Sequence, residues 1–266
     1  MNARSLAMEF LRREYGVSKL SDLPSQTMLT VLSVFFYYKN RPTNIQLEEL
    51  KRWFWRSSLS SRYIGSGYNE NIGADSSAMV DLAIRGNKLN LPKRIPSFSE
   101  FEKVDLNTGR STLRNSVKQL LWLQEPIWIN GNKVKREDVE TGTKQKEDDH
   151  FYPHNWMKKG YVGAEINNIL NIHFIPKDEN VIKSDKIPSE WLAQRVGEQN
   201  ASATIVEKYC KCNLLPFENV QDLKRFDKKF IRKNGRIFPD KFRHRYRQFL
   251  WNRYQIFIKE FSKLQN

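Results

Sequence analysis

Asp149-His150-Phe151-Tyr152-Pro153 is the stretch that most narrows what this 266-residue chain can fold into. Neighbouring side chains on an extended strand turn to opposite faces, so Asp149 and His150 serve one site only where the backbone bends or ends. Pro153 marks such an end, because proline has no N–H to give a ladder. A neutral imidazole accepts a proton near neutral pH, which makes His150 the candidate general base, and Asp149 is then placed to face a cation. Asn180, at the head of the run NVIKSDKIPSEW, supplies a neutral oxygen. Oxygen donors of this kind suit Mg²⁺ or Mn²⁺ better than zinc.

The order D-H-x-x-P, then Asn171, then Asn180 resembles that of the one-metal nucleases of the HNH class. More closely, the run from Asp149 to Trp191 resembles the HNH domain of GmrSD-type, modification-dependent restriction endonucleases. That family's hallmark is close to D-H-H-I-F-P, then I-N-x-I-x-N, then N-x-x-x-x-x-x-P-S-E. The corresponding segments here read DDHFYP, INNILN (Ile166 to Asn171) and NVIKSDKIPSE. The same frame is similar to the HNH domain of RNA-guided CRISPR nucleases, which also begins D-H-x-x-P and ends N-x-x-K-S-D-x-x-P-S-E.

The resemblance implies a short hairpin closed by a helix, with the catalytic pair on the first strand and a second ligand on the helix. It implies His150 as general base, Asp149 and Asn180 as ligands of one Mg²⁺ or Mn²⁺ ion, and Asn171 as the supporting catalytic-site asparagine that ties the His150 loop to the second strand. Lys183 matches a lysine near the site that could touch phosphate; Lys186 and Arg245 join it as candidate DNA contacts. Two positions depart from the family: its first histidine is Asp149 here, and its Ile-Phe pair is Phe151-Tyr152. Neither change removes the base or the metal oxygen.

Upstream, RWFWRSSLSSRYIGSG, from Arg52 to Gly67, resembles the helical segment that precedes the nuclease in the same restriction family. No G-x-x-x-x-G-K-[ST] phosphate loop occurs in the chain, and the nucleotide-dependent ParB-like half of such proteins is not recognisable. The chain reads as the effector half, with a separate ParB-like NTPase subunit as the expected partner.

Charge agrees with a polyanionic partner. Lys and Arg exceed Asp and Glu by 45 − 30 = 15, which favours nucleic acid electrostatically. The two cysteines, Cys210 and Cys212, form a C-x-C suited to neither a disulfide framework nor a zinc finger, and they fit a reducing cytosol. No run of about 18 apolar residues is present to cross a membrane, and the N-terminus does not read as a signal peptide, so a cytoplasmic protein is expected.

Along the chain the expected class is α+β, mainly α-helical with an embedded ββα-metal motif. A helical domain is read over 1–125, the nuclease core over 126–200 and a C-terminal helical segment packed on the core over 201–266. Apolar residues at helical spacing predict helices through Leu6–Leu11, Leu29–Phe36 and Leu47–Phe54, with the aromatic load of the third as core. The glycine- and asparagine-rich stretch 65–73 reads as a loop and Ser76–Arg85 as a short helix. Ser97-Phe98-Ser99-Glu100 is a capping-box start, and Leu113–Leu123 is a helix. Pro126–Gly131 reads as strand, turn and strand, and 134–147 as a charged loop in which Glu147 and Asp148 are solvated. A last helix from Pro239 to about Leu264 carries the stripe Phe242, Tyr246, Phe249, Leu250, Phe257, Phe261 and Leu264. His173 and His244 read as structural or simply exposed, and Pro153 argues against a helical metal pair of His150 with His154.

Two functions from different classes follow. One is a metal-dependent DNA endonuclease acting on foreign or modified DNA, either as a homodimer or by successive nicks. The other is an inactive DNA- or partner-binding module with the same fold. An RNA-directed toxin nuclease is a weaker third.

Overall fold

The computed structural model describes residues 2–106, 111–135, 146–158, 164–198, 202–230 and 239–266, without the side chains of Lys146, Glu147 and Ala164. Most of the expected loop over 134–147 lies outside the described residues, as does the side chain of Glu147, and at its end Lys146 and Glu147 belong to a strand instead, where their backbone pairs with Pro176 and Ile175. Among the described residues the chain is mainly helical with one two-stranded sheet, which agrees with the α+β expectation at that level. It divides into two compact units, one of Met1–Ser97, Thr108–Trp122 and Ile258–Asn266, the other of Phe98–Asn107 and Leu123–Phe257.

The first unit is built from α1 (Ala3–Tyr15), α2 (Thr27–Tyr38), α3 (Asn44–Leu59), α4 (Tyr68–Arg85) and nearly all of α6 (Thr112–Leu123). Asn2 opens α1 by accepting the Ser5 N–H at 2.8 Å. Gly16 closes it in the left-handed region at φ 64°. A side chain at Gly16 would also strike the Trp122 indole, since an added Cβ would sit 2.1 Å from its Nε1. Thr43 and Gln46 form a capping box on α3, and the Gln46 amide reaches the Leu82 carbonyl of α4 at 2.8 Å. Trp53, Phe54 and Trp55 of α3 are all buried, with Phe54 stacked on Tyr15 at 3.8 Å and Trp55 against Phe261. The aromatic load is core, as read from its spacing.

The expectation of a loop over 65–73 is corrected. The helix α4 begins at Tyr68 and runs through Gly73. Tertiary contacts override the poor propensity of Gly and Asn: the Asn71 amide donates to the Arg62 carbonyl, and Arg62 holds the buried Asp75 carboxylate through both oxygens at 2.7 and 2.8 Å.

The second unit carries the sheet. β1 (Lys146–His150) pairs antiparallel with β2 (Ile172–Pro176), so that Asp149 faces His173 and His150 faces Ile172. β2 is buried along its whole length and runs directly into α8 (Lys177–Lys183), which packs against both strands. Around them lie α5 (Phe98–Glu102), α7 (His154–Lys158), α9 (Pro188–Gly197), α10 (Ala203–Cys212), α11 (Val220–Asp227) and most of α12 (Pro239–Leu264). The stripe read on α12 is buried from Phe242 to Phe261. Pro126–Gly131 does not form two strands; only an isolated bridge joins Ile127 to Lys133 around Gly131. So short a pairing leaves the two segments too few ladder bonds to count as strands.

Candidate active site

The backbone leaves β1 directly after His150. Phe151 and Tyr152, both fully buried, lie in a bend beyond the strand. Asn171 sets the bend. Its side-chain oxygen accepts the Tyr152 N–H at 3.0 Å, its amide nitrogen donates to the Tyr152 and Ile166 carbonyls at 3.1 Å, and its own carbonyl accepts the Phe151 N–H. Fully buried, with its side chain bonded to backbone groups, Asn171 ties the loop after His150 to the start of β2. Phe151 packs with Phe217 and Phe249 in a mutual cluster of three near-parallel rings, which anchors the same bend in the core.

With the bend set, Asp149 and His150 face different partners. The Asp149 carboxylate, 18% exposed, accepts from Lys183 Nζ and lies 3.4 Å from His173 Nε2, both at Oδ2. Burial alone would raise its pKa, but the His173 hydrogen bond and the Lys183 charge outweigh it and hold the carboxyl well below the usual carboxylate range. Asp149 is therefore ionised.

The half-buried His150 ring has Nε2 3.0 Å from Asn167 Oδ1. Burial lowers its pKa against the opposing charge of Asp149, which favours the neutral ring. With Nε2–H donated to Asn167, the lone pair lies on Nδ1. His154, at the start of α7 beyond Pro153, lies 5.8 Å away ring to ring.

Lys183 bridges the two neighbours: its ammonium also reaches the His150 carbonyl oxygen. At 1% exposure it is turned inward onto Asp149 and the strand backbone, rather than outward to solvent, where a phosphate would approach. Asn180 stands three residues before Lys183, on the same face of α8. Lys186 folds back to donate to the Ile182 carbonyl at 2.7 Å. Arg245, on α12, lays its guanidinium over the Phe226 ring at 4.2 Å and also bonds Gln248.

Three site residues escaped the sequence reading. Asn167 orients His150, His173 faces Asp149 from β2, and the Tyr209 hydroxyl lies 2.6 Å from His173 Nδ1. Only Asn167 left a signal, as a polar position within the INNILN segment. His173 looked structural because a lone histidine amid Ile and Phe gives no hint of what stands opposite.

Among the described residues no cluster of three or more His, Cys, Asp or Glu side chains could hold a metal. Cys210 and Cys212 are buried free thiols, and burial pushes Cys210 up to about 12, which disfavours the thiolate a metal needs. What remains is one ionised carboxylate, Asp149, which carries the Lys183 ammonium on Oδ2; a carboxylate oxygen suits a hard divalent cation that keeps much of its water better than it suits zinc. No protein-family model matches the chain, and no curated protein or solved structure matches it. Among the described residues no helix is long and apolar enough to cross a membrane.

Proposed function

We propose that the chain is a metal-dependent HNH endonuclease that hydrolyses DNA phosphodiesters, the nuclease part of a restriction or anti-phage defence system. The observation that carries this reading is the pairing of His150, neutral through burial and oriented by Asn167, with the ionised Asp149 one residue before it. His150 Nδ1 takes the proton of the attacking water. Asn167 and Asn171 keep that nitrogen in place, the first through the ring and the second through the backbone. Asp149 and Asn180 would hold one Mg²⁺ or Mn²⁺. Bound there, the ion would supply charge stabilisation to the phosphate and the leaving oxygen. The excess of 15 positive charges draws the polyanion, with Lys186 and Arg245 as candidate contacts. A modified base as the mark of foreign DNA, a ParB-like NTPase subunit and a homodimer extend the same proposal.

His150→Ala tests it. Plasmid nicking in Mg²⁺ should fall by about 10²–10⁴-fold, the usual contribution of a positioned base, while DNA affinity is retained. Unchanged cleavage would refute the assignment. A second reading is favoured by Lys183, whose ammonium already neutralises Asp149: an inactive module that binds DNA or a partner. It predicts salt-sensitive DNA binding with no cleavage at any Mg²⁺ or Mn²⁺ concentration. Preference for structured RNA over duplex DNA would move the substrate to RNA.

A further inference from the structure

The register of the hairpin sets His173 directly across from Asp149, and His173 is wholly buried. From the carboxylate inward the polar atoms form a chain: Asp149 Oδ2, His173 Nε2 at 3.4 Å, then His173 Nδ1 with the Tyr209 oxygen at 2.6 Å. The same hydroxyl donates to the Phe174 carbonyl at 2.9 Å, so its one proton is shared between that oxygen and Nδ1. Phe151, Trp191 and Tyr209 surround the imidazole edge to face at 5.4, 5.8 and 6.0 Å, which fixes the ring plane.

For a neutral ring, the carboxylate at one end of this chain decides which nitrogen carries the proton. An ionised carboxylate only accepts, so Nε2 must carry the hydrogen that faces Asp149. Nδ1 then has a lone pair, and Tyr209 is the group that can donate to it. The carboxylate selects this tautomer, in which the imidazole is a donor to Asp149, and the Tyr209 hydroxyl against Nδ1 accommodates it. An apolar residue would fill this enclosure without the cost of burying polar atoms, yet the buried polar chain ends on the one ionised carboxylate of the candidate site.

We propose that His173 and Tyr209 are positioning residues that, together with the Lys183 ammonium on the same oxygen, hold the Asp149 carboxylate through Oδ2 and leave Oδ1 as the atom that ligates the cation. The inference rests on the metal-site reading above. It assigns His173 no contact with substrate; it acts through Asp149, as outer hydrogen-bond partners of metal ligands do.

Binding of Mn²⁺ to the full chain without DNA, followed by the electron paramagnetic resonance signal of the free ion, tests the proposal. The native chain should bind and Asp149→Ala should not. His173→Leu and Tyr209→Phe should each weaken Mn²⁺ binding by about 10–100-fold, the usual effect of losing such a partner. His173→Gln, whose amide N–H can stand for Nε2–H, should recover most of the loss. Native Mn²⁺ affinity in both His173→Leu and Tyr209→Phe would overturn the positioning chain while leaving the metal site intact. Equal loss in the Gln and Leu variants would overturn the donor role of the ring. If the native chain shows no binding that depends on Asp149, the metal-site reading fails and the inference with it. Should His173→Leu not fold, Tyr209→Phe carries the test, since it removes a single oxygen from the core.

Discussion

At the scale of single residues, environment decides protonation states that residue type leaves open. His150 and His173 are both imidazoles with pKa lowered by burial, yet one meets an asparagine oxygen and the other a carboxylate and a phenol. Asp149 and Asp227 are both enclosed aspartates and shift in opposite directions. Asp149 has Lys183 and His173 against it. Asp227, 1% exposed, accepts from neutral groups, the Ser189 hydroxyl, the Tyr152 hydroxyl at 2.7 Å and the Ser189 N–H at 3.0 Å, and burial raises it from 3.8 to about 6. Between those two values the folded chain binds the extra proton, so this group lowers stability as pH rises from about 4 to 6 and its full cost applies above 6. A shift of that size corresponds to about 3 kcal/mol. Asp227→Asn keeps an acceptor for Tyr152 and removes the titration. The difference in unfolding free energy between variant and native chain, from urea titrations, should grow in the variant's favour across pH 4–6 and stay level above it. Taking the difference isolates Asp227 from His173, whose depressed pKa of about 4 works with the opposite sign in the same window. A flat difference would contradict the assignment.

At the scale of elements, much was legible and the reasons are periodic. The stripe of α12, the α6 helix and the apolar face of α2 follow from 3.6-residue spacing, which survives because each face meets a core. The loop expected over 65–73 failed because Gly and Asn speak only for local propensity, whereas Arg62 and Asp75 stabilise the helix from outside it. The reach of a single long side chain was equally hidden. Arg253 on α12 is wholly buried and forks to the carbonyls of Leu170, Asn213 and Leu214, closing the turn before β2 and the end of α10 together. Burial lowers its pKa to about 9, still protonated at neutral pH. Arg253→Met would leave three carbonyls without this donor, at about 1–3 kcal/mol for each one left unsatisfied. A loss of about 3–5 kcal/mol in urea unfolding is expected, and Arg253→Lys, which cannot fork to all three, should fall between. A loss under 1 kcal/mol for the Met variant would show that water replaces the guanidinium.

At the scale of the whole molecule, the units are not successive pieces of chain. Ile258–Asn266 belongs to the first unit although the rest of α12 belongs to the second. There Phe261 is buried against Trp55, the Gln265 carbonyl accepts from Arg56, and the Gln265 side chain bonds the Arg94 backbone through both its atoms. Ending the chain after Phe257 removes all of these. The first unit should then unfold at lower denaturant, read from the fluorescence of its buried Trp53 and Trp55, with a loss of at least the ~3–5 kcal/mol that removing one buried phenylalanine costs. An unchanged midpoint would mean that the unit closes without its last segment.

What the sequence by itself determined is residue chemistry and periodicity: a histidine beside an aspartate, asparagines at fixed distances, a net positive charge, and helices wherever apolar residues recur with the turn. Only the tertiary structure decided which groups face one another. The partnership of Asp149 with His173, of His150 with Asn167 and of Lys183 with both strand neighbours joins residues 17 to 34 positions apart. Such pairs leave no local pattern, because spacing along a chain encodes the face a side chain takes on its own element and says nothing of what the fold brings opposite it.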